Sequence, residues 1–493
     1  MSQITISGLT FAYEGSYDNI FENVDLQLDT DWRLGLTGRN GRGKTTFLRL
    51  LQGLYEYSGS ISSSVSFEYF PYVVENTEQM TLDVVNGINP DFSHWELMRE
   101  LNLLSVNEDV LYRPFSTLSS GEHTKVLLAA MFLKETSFLL IDEPTDHLDL
   151  EGRKIVSRYL SSKKGFIIVS HDRAFLDNCI DHILSINRTG FELRKGNFTT
   201  WWNEKEIRDR NEADDNERLK KEIGRLKDAA RRTSDWSDKV EKTKIGTRNS
   251  GSKPDKGYIG HKAAKMMKRS KSIEARKNSE IEEKSKLFRD TERTYPLKIS
   301  QLDFHSERLA SLEDVSISYG DRTILSGISF EIKTGDRIAL IGRNGSGKSS
   351  LLKLICGEDI RYRGSLWKGA DLKVSFVSQD TSHLHGSIRD YCILKDIDEA
   401  LFRAILQKLG FEKAQFEKDI EDCSSGQKKK VLIAGSLCEK AHLHVWDEPL
   451  NFIDVFSRIQ IERLLLEYQP TIIFVEHDSA FCDAVATRTI SLT

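Results

Sequence analysis

The sequence predicts an α/β protein in which two tandem domains are joined by a long α-helical hairpin. Three observations predict this fold: a set of motifs occurs twice, short apolar segments alternate with helical patterns around each copy, and a charged, helix-favouring segment separates the copies. Alternating buried strands and helices are typical of a mostly parallel sheet. The predicted domains are residues 1–200 and 308–493, and the predicted hairpin is 201–307.

Four short motifs occur twice, and their two copies are 304 to 306 residues apart in every case. The first is a glycine-rich octapeptide at 38–45 and 342–349. The others are Ser119-Ser120-Gly121 with Ser424-Ser425-Gly426, Asp142-Glu143-Pro144 with Asp447-Glu448-Pro449, and His171-Asp172 with His477-Asp478. A constant offset over four motifs indicates a tandem duplication of one module.

The glycine-rich octapeptide has the pattern G-x-x-x-x-G-K-[ST] and lies between an apolar segment and a helical pattern. Its glycines allow the backbone N–H groups to wrap around phosphate oxygens, and its lysine is expected to reach the β- and γ-phosphates of ATP. The hydroxyl after the lysine is expected to bind Mg²⁺. The predicted ATP-binding residues in these loops are Gly38, Asn40, Gly41, Gly43, Lys44, Thr45 and Thr46, and Gly342, Asn344, Gly345, Gly347, Lys348, Ser349 and Ser350.

An Asp-Glu pair ends an apolar segment in both copies, and a histidine ends the next one. The aspartate is predicted to assist Mg²⁺, the glutamate to polarise the attacking water, and the histidine to contact the γ-phosphate. These residues are Asp142, Glu143 and His171 in the first copy and Asp447, Glu448 and His477 in the second. An isolated acidic pair can instead cap a helix, and a lone histidine is more often structural, but the repetition favours catalysis.

Between the two copies, residues 203–242 and 259–289 are charged, with apolar residues at helical spacing, and glycines and a proline separate the two stretches. This pattern predicts an antiparallel helical hairpin with a tip loop at about 243–258. The alternative is a flexible charged linker.

Positive charge is concentrated in the hairpin. Residues 231–277 contain fifteen Lys or Arg against five Asp or Glu, a net charge of +10, whereas the whole chain carries −5 and the remainder therefore −15. Such a segment on an acidic protein indicates a polyanionic partner, and Trp236 and Tyr258, which could stack on bases, are compatible with RNA. The predicted contact residues are Lys242, Lys244, Arg248, Lys253, Lys256, Tyr258, Lys262, Lys265, Lys268 and Arg269.

Composition argues against several other classes of protein. An apolar fraction of 39% is too high for a chain that is disordered throughout. The apolar runs are shorter than the ~18 residues of a membrane span, and the first residues do not resemble a signal peptide. The six cysteines are scattered without metal-binding spacing, as is typical of reduced cytosolic thiols. We therefore expect a cytoplasmic protein.

Taken together, the motifs resemble those of ABC ATPases, which combine two P-loops with serine- and glycine-containing signature segments. The resemblance implies two tandem ABC-type P-loop ATPase domains in a head-to-tail pair, in which each ATP lies between one domain's P-loop and the other's signature. It also implies that Tyr13 and Tyr319 stack on adenine and that Gln379 is a Q-loop glutamine that helps to hold Mg²⁺. The signature residues that it assigns to ATP binding are Ser119, Ser120, Gly121, Ser424, Ser425, Gly426 and Gln427.

More narrowly, the whole chain resembles the ABC-F group, because it has two ATPase domains, a long linker and no membrane domain. Residues 143–149 are close to that group's EPTNHLD segment, and segments 95–101, 264–271 and 446–451 resemble the Lsa-type antibiotic-resistance members. The resemblance implies a monomer with ATP and Mg²⁺ that binds the E site of the 70S ribosome. There the hairpin would contact 23S rRNA and P-site tRNA and help to dislodge lincosamides, pleuromutilins and streptogramin A compounds.

Several positions depart from the family pattern. Tyr72 replaces the glutamine of the first Q-loop, and Asp146 replaces an asparagine. Ser120 and Ser425 replace the middle glycine of the signature, and His123 and Lys428 are unusual residues after it. We predict that both composite sites bind ATP and that the site containing Tyr72 hydrolyses it more slowly.

Three other functions stay open at this stage. A housekeeping ABC-F translation factor has the same organisation, and the hairpin tip would distinguish it. The ATPase subunit of a drug exporter is disfavoured by the fused domains and the basic hairpin. A DNA-repair ABC ATPase is disfavoured because such proteins insert coiled coils or zinc sites within a domain.

Overall fold

The computed structural model describes residues 3–15, 19–134, 137–146, 148–187, 190–242, 296–320 and 322–492, together with several positions between 265 and 279. The chain divides into two units, Met1–Trp201 with Thr294–Thr493, and Trp202–Arg293. The first unit contains both repeated modules, which we call cassette 1 (residues 3–201) and cassette 2 (residues 296–492).

Cassette 1 contains a three-stranded antiparallel sheet in the order β2-β1-β4 and a six-stranded sheet in the order β5-β6-β7-β3-β8-β9. In the larger sheet every pair is parallel except β8 with β9. The strands are β1 (Gln3–Phe11), β2 (Phe21–Asp29), β3 (Arg33–Thr37), β4 (Ser58–Ser62), β5 (Ser66–Phe70), β6 (Ser137–Asp142), β7 (Phe166–Val169), β8 (His182–Asn187) and β9 (Gly190–Lys195). The helices are α1 (Lys44–Leu51), α2 (Thr81–Ile88), α3 (His94–Leu103), α4 (Ser120–Phe132), α5 (Leu150–Ser161) and α6 (Arg173–Cys179).

Cassette 2 repeats this plan with an antiparallel sheet β11-β10-β13 and a parallel sheet β14-β15-β16-β12-β17. Its strands are β10 (Arg308–Tyr319), β11 (Arg322–Lys333), β12 (Arg337–Gly342), β13 (Tyr362–Lys368), β14 (Val374–Val377), β15 (Leu443–Asp447), β16 (Ile472–Val475) and β17 (Arg488–Leu492). Its helices are α8 (Lys348–Cys356), α9 (Ile388–Lys395), α10 (Glu399–Lys408), α11 (Ser425–Cys438), α12 (Val455–Tyr468) and α13 (Ser479–Val485). The predicted α/β fold with two tandem ATPase domains is confirmed.

Strand register brings the repeated motifs to one edge of each parallel sheet. The strands are buried because helices cover both faces of a parallel sheet, and β7 and β16 are buried at every position. Asp142 pairs with Val169 across β6 and β7, and Asp447 pairs with Val475 across β15 and β16. Each acidic pair therefore lies beside the histidine that follows the neighbouring strand.

The linker begins as one helix, α7 (Phe198–Lys242), of 45 residues. Its first turn lies in the first unit, where the Trp201 ring packs edge-on against Phe456 of α12 with centroids 6.4 Å apart. The guanidinium of Arg39, in the P-loop of cassette 1, lies 5.7 Å from the same Phe456 ring. One phenyl ring thus contacts both a nucleotide loop and the base of the linker helix.

In the second unit, α7 buries Ile223 and part-buries Leu219 and Leu226, three of the residues whose spacing predicted a helix. The described positions between 265 and 279 are helical as well. The predicted tip, 243–258, lies outside the described residues. No helix in the described part of the chain has the length and apolar character needed to cross a membrane. All six cysteines are free thiols, as predicted.

Candidate ATP-hydrolysis sites

The P-loop of each cassette faces the signature segment of the other, so the first unit contains two composite sites. In site 1, Asn40 of the cassette 1 P-loop donates from Nδ2 to the carbonyl oxygen of Phe452 in cassette 2 at 2.9 Å. A Cβ added to Gly426 would lie 3.2 Å from the same amide. In site 2, Ser120, Asp146 and Leu148 of cassette 1 line a cavity of about 370 Å³; the cassette 2 residues that line it are Ile324, Asn344, Gly345, Gly347, Lys348, Ser349, Ser350, Gln379, Glu448 and His477.

Each P-loop ends on a glycine in a left-handed backbone conformation, which a residue without a Cβ adopts most easily. Gly43 and Gly347 have φ of 87° and 88°, and they immediately precede α1 and α8. A Cβ at Gly43 would lie 2.7 Å from a methyl group of Ile20. The N–H groups of the following helix are thereby left to bind phosphate oxygens.

The P-loop lysines are buried within their own loops. The ammonium of Lys44 donates to the carbonyl oxygen of Gly38 at 2.8 Å and to Oδ1 of Asn40 at 3.2 Å. Lys348 donates to the carbonyl oxygens of Gly342 and Arg343 at 2.8 and 2.9 Å. Burial lowers the pKa of both lysines, although nearby carboxylates oppose the shift. Anionic phosphate would add further negative charge beside these ammonium groups and would raise their pKa.

Hydroxyl and carboxylate oxygens meet where Mg²⁺ was predicted. In site 1 the Thr45 hydroxyl donates to Oδ2 of Asp142 at 2.8 Å. In site 2 Ser349 is hydrogen-bonded to Asp447, whose Oδ1 is buried without a hydrogen-bond partner among the described residues. Mg²⁺ prefers oxygen ligands and takes few of them from protein, so these oxygens suit it. The described residues contain no group of three or more His, Cys, Asp or Glu that could hold a metal by themselves.

Tyr69 is a site residue that the sequence analysis missed. Its hydroxyl donates to Oδ2 of Asp142 at 2.9 Å, on the oxygen that also accepts from Thr45. The register of β14 against β15 and of β5 against β6 places Phe376 at the equivalent position in cassette 2. The hydroxyl therefore exists only in site 1. The sequence feature that could have identified Tyr69 is its position near the end of β5, the strand that pairs with the strand ending in Asp142.

Both glutamates are held in the same unusual backbone conformation. Glu143 and Glu448 have φ of 48° and 47°, a region that residues other than glycine rarely adopt. Their N–H groups donate to the carbonyl oxygens of Val169 and Val475 at 2.9 and 3.0 Å. Such strain concentrates at functional positions, and its repetition here indicates that the carboxylate must point in one direction.

In site 2, three donors surround the Glu448 carboxylate. Gln379 and Asn451 donate from their side-chain amides to Oε2 at 2.8 and 2.6 Å, and His477 Nε2 lies 3.3 Å from Oε1. Burial by itself raises the pKa of Glu448, but the hydrogen bond and charge of His477 and the charges of Lys429 and Lys348 bring it below its ordinary value. Glu448 is therefore ionised at neutral pH and can accept a proton from water.

In site 1, the environment of Glu143 is different. His171 Nε2 lies 3.1 Å from Oε1, but Tyr72 occupies the place of Gln379 and Asp146 the place of Asn451. Burial and the negative charges of Asp146 and Asp142 raise the pKa of Glu143 to about 8. Burial and the charges of Lys44 and Arg458 lower the pKa of His171 well below its usual range, so this imidazole is neutral.

The remaining predicted ATP-binding side chains lie around the two P-loops. The hydroxyl of Tyr13 is 2.8 Å from that of Thr46, and Tyr319 donates to the hydroxyl of Ser350 at 3.2 Å. Both tyrosine rings are about half exposed, at 43% and 50%, which leaves a face for an adenine ring.

The signature serines cap the helices that follow them. Ser119 and Ser424 are the N-caps of α4 and α11, and each accepts a hydrogen bond from the backbone three residues later at 3.3 Å. The side chain of Gln427 accepts from the Ser424 N–H at 2.9 Å, so its carbonyl oxygen completes the cap. Ser120 and Gly121, and likewise Ser425 and Gly426, open their helices, so their N–H groups have no partner within the helix. Ser120 also lines the cavity of site 2.

Few of the predicted RNA-contact residues lie in the described part of the chain. Lys265 and Lys268 are helical and exposed, and Lys242 is the last residue of α7. Lys244, Arg248, Lys253, Lys256, Tyr258, Lys262 and Arg269 lie outside the described residues.

Comparison with known proteins agrees with this architecture. The ABC transporter family model matches residues 21–146 and 325–451. The chain is 27% identical over 485 residues to the ribosome protection protein VmlR of Bacillus subtilis strain 168, covering 96% of this chain and 84% of that protein. It is 26% identical over 526 residues to the energy-dependent translational throttle protein EttA of Escherichia coli K12, covering 95% of this chain and 88% of that protein.

Among solved structures, the complex of archaeal ribosomal stalk protein aP1 and archaeal ribosome recycling factor aABCE1 contains a similar fold. The TM-score is 0.64 with 19% sequence identity, over 98% of this chain and 87% of the other. This likeness supports the arrangement of two cassettes in one chain.

Proposed function

We propose a function from one established premise: this chain belongs to the ABC transporter family, and its tandem cassettes hydrolyse ATP. We infer that it is an ABC-F protein of the cytoplasm that binds the ribosome and protects translation from antibiotics acting on the large subunit. The drug classes concerned are lincosamides, pleuromutilins and streptogramin A compounds.

The observation that carries this proposal is the joining of two composite ATP sites to a long charged helix within one chain. Asn40 and Phe452 connect the cassettes directly, so closure needs no second subunit. Helix α7 leaves cassette 1 at Phe198 and leads towards a segment, 231–277, with a net charge of +10. Similarity to a ribosome protection protein over 96% of the chain supports the same function.

ATP would act by favouring the closed pair of cassettes. Lys44 and Lys348 bind phosphate, and the helix N-termini at Ser120 and Ser425 close on it from the opposite cassette. Thr45 and Asp142 in site 1, and Ser349 and Asp447 in site 2, would hold Mg²⁺ with their hydroxyl and carboxylate oxygens, and the ion would supply positive charge beside the phosphates. Hydrolysis removes the γ-phosphate and with it the free energy that keeps the cassettes closed.

The basic segment is proposed to contact RNA. In the E site it would approach 23S rRNA and the P-site tRNA, and the chain would act there as a monomer with ATP and Mg²⁺. Each phosphate that a lysine neutralises releases counterions, so association should weaken steeply as salt rises.

A housekeeping translation factor is the second candidate, because EttA, an energy-dependent translational throttle protein, is similar over 95% of the chain. Such a factor would bind ribosomes in the same ATP-bound state but would leave drug sensitivity unchanged.

The Glu143→Gln/Glu448→Gln double variant tests ribosome binding, because it should close on ATP and not reopen. We expect it to sediment with ribosomes in ATP and to stop growth when expressed, whereas a further Lys44→Ala/Lys348→Ala change should abolish both effects. Recovery in membranes without ribosomes would instead indicate an exporter subunit.

Minimum inhibitory concentrations separate the two ribosomal functions. The wild-type chain, expressed in a susceptible host, should raise them for the three drug classes, and the double variant should not. An unchanged drug sensitivity with intact ribosome binding favours the housekeeping factor.

The basic segment can be tested with residues that the structure describes. Lys265→Gln/Lys268→Gln should reduce the salt dependence of ribosome binding, with a fall of about one unit in the logarithmic slope per lost phosphate contact. Lys220→Gln/Lys227→Gln, on the exposed surface of α7, removes the same charge and serves as the control.

A further inference from the structure

Helix α11 connects the two composite sites. It begins at the signature of cassette 2, where Gly426 approaches Asn40 of site 1. One turn later it carries Lys429, which is only 2% exposed. A buried lysine is uncommon unless its ammonium has partners.

The partners of Lys429 belong to site 2. Its Nζ donates to the carbonyl oxygen of Ser378 at 2.9 Å and lies 3.5 Å from the carbonyl oxygen of Asp447. These residues directly precede Gln379 and Glu448. The ammonium therefore connects the ends of β14 and β15. Gln379 follows β14, Glu448 follows β15, and the Gln379 amide donates to the Glu448 carboxylate at 2.8 Å.

The surrounding charges fit this role. Burial lowers the pKa of Lys429, and the carboxylates of Glu476, Asp447 and Glu448 oppose that shift. Glu476 is itself buried, and it accepts from the N–H groups of Leu450 and His477 at 2.7 and 3.2 Å. A buried lysine and a buried glutamate thus accompany site 2.

Cassette 1 lacks both charges. Thr124 stands at the position of Lys429, and its hydroxyl bonds the carbonyl oxygen of Ser120 in its own helix at 3.2 Å. Ser170 stands at the position of Glu476, where its hydroxyl lies 3.2 Å from that of Thr145. Helix α4 therefore has no side chain at this position that reaches the catalytic strands of site 1.

We propose that Lys429 is a positioning residue for ATP hydrolysis in site 2 and that it transmits the state of the site 1 signature to Gln379 and Glu448. The two cassettes differ in this path, because the equivalent path from the cassette 1 signature ends at Thr124. Closure of site 1 moves α11, and the ammonium carries that movement to the two strand ends.

The neighbouring Lys430 provides a matched comparison. It is also buried, at 5% exposure, but its ammonium donates to Oδ2 of Asp454 and to the carbonyl oxygen of Leu409, both at 2.7 Å. The charge of Asp454 acts on Lys44 and His171 of site 1. The two adjacent lysines therefore serve different sites.

Single-turnover ATP hydrolysis by the purified full chain tests the proposal. In the Glu143→Gln background, where only site 2 keeps its glutamate, Lys429→Met should slow hydrolysis by about 10- to 100-fold, as misplacement of catalytic groups does. Lys440→Met removes an exposed lysine just beyond the end of α11 and should leave that rate unchanged. A rate unaffected by Lys429→Met would overturn the proposal.

The coupling has its own readout. Gly426→Ala places a methyl group 2.4 Å from the carbonyl oxygen of Phe452 and 3.2 Å from the Asn40 amide of site 1, and it should slow site 2 several-fold in the same background. Combined with Lys429→Met, it should slow site 2 no further, because the path is already cut. Effects that multiply in the double variant would refute transmission through Lys429.

Two more measurements distinguish a loss of positioning in site 2 from a loss of folding. Lys429→Thr/Glu476→Ser installs the neutral pair of cassette 1, so no unpaired buried charge remains; it should fold yet keep the slow site 2 rate. In Lys429→Met the pH–rate midpoint of site 2 should move upward, and Lys429→Arg should bring it back. Wild-type turnover in the neutral pair, or an unmoved midpoint, would overturn the assignment.

Discussion

Sites 1 and 2 use the same backbone and surround their glutamates with different side chains. Both glutamates have a φ near 48°, and both are partly buried beside a histidine. Site 2 places two amide donors on Glu448, whereas site 1 has Tyr72 and Asp146 at the equivalent positions. The backbone fixes where each carboxylate points, and the neighbouring side chains set its affinity for a proton.

This difference assigns different tasks to the two sites. A general base must be ionised to accept a proton, and at pH 7 about nine-tenths of a carboxyl with the pKa of Glu143, about 8, is protonated. Site 2 is therefore expected to turn over, and site 1 to hold ATP for longer. A retained ATP in site 1 would keep the cassettes closed between successive events in site 2.

Loss of one glutamate at a time gives the largest expected contrast. Glu448→Gln should reduce single-turnover hydrolysis at pH 7 by about tenfold, to the rate of site 1, where about one-tenth of Glu143 is ionised. Glu143→Gln should leave more than about a third of the rate, because site 1 contributes little at pH 7. Equal residual rates in the two variants would count against the asymmetry.

The pH dependence of each site sharpens the comparison. In Glu448→Gln, hydrolysis should rise about tenfold per pH unit below the Glu143 pKa of about 8 and level off above it. In Glu143→Gln the hydrolysis rate should not change between about pH 6.5 and 9, because the pKa of Glu448 lies below its ordinary value and the carboxylate stays ionised over this range. A flat profile for site 1 would show that Glu143 is already ionised.

Exchange of the neighbouring side chains should move activity from one site to the other. In the Glu448→Gln background, Tyr72→Gln/Asp146→Asn should lower the pH midpoint of site 1 by about one unit and thereby raise its hydrolysis at pH 7 by about fivefold. The reverse change, Gln379→Tyr/Asn451→Asp in the Glu143→Gln background, should slow site 2 similarly. If neither exchange has an effect, the difference between the sites has another origin.

The smallest expected effect concerns Mg²⁺. Tyr69→Phe removes a hydroxyl that occupies Oδ2 of Asp142, and one hydrogen bond is worth about a fivefold change in affinity. The Mg²⁺ concentration for half-maximal hydrolysis by site 1 should fall by that factor. Phe376→Tyr in site 2 is the matched control and should raise it; no change in either variant would exclude a role for the hydroxyl.

The sequence was sufficient for the repeat, the P-loops, the acidic pairs and the histidines, because each is a short motif whose residues act together. Tyr72 and Asp146 were recognised as departures, but their consequence required the distances from Gln379 and Asn451 to Glu448. Tyr69 and Lys429 were missed because strand register and helix packing, which no local pattern encodes, bring them to the sites. Helix α7 begins at Phe198, five residues before the predicted pattern, because Phe198 and Trp201 pack in the first unit.

The Phe456 ring lies where a small rotation of helix α7 would produce a large displacement at its far end. Trp201 rests on this ring at the base of α7, and the P-loop residue Arg39 lies over it. From Trp201 to Lys242 a continuous helix extends about 60 Å, at 1.5 Å per residue. A tilt of about 5° at its base would therefore swing its far end by about 5 Å.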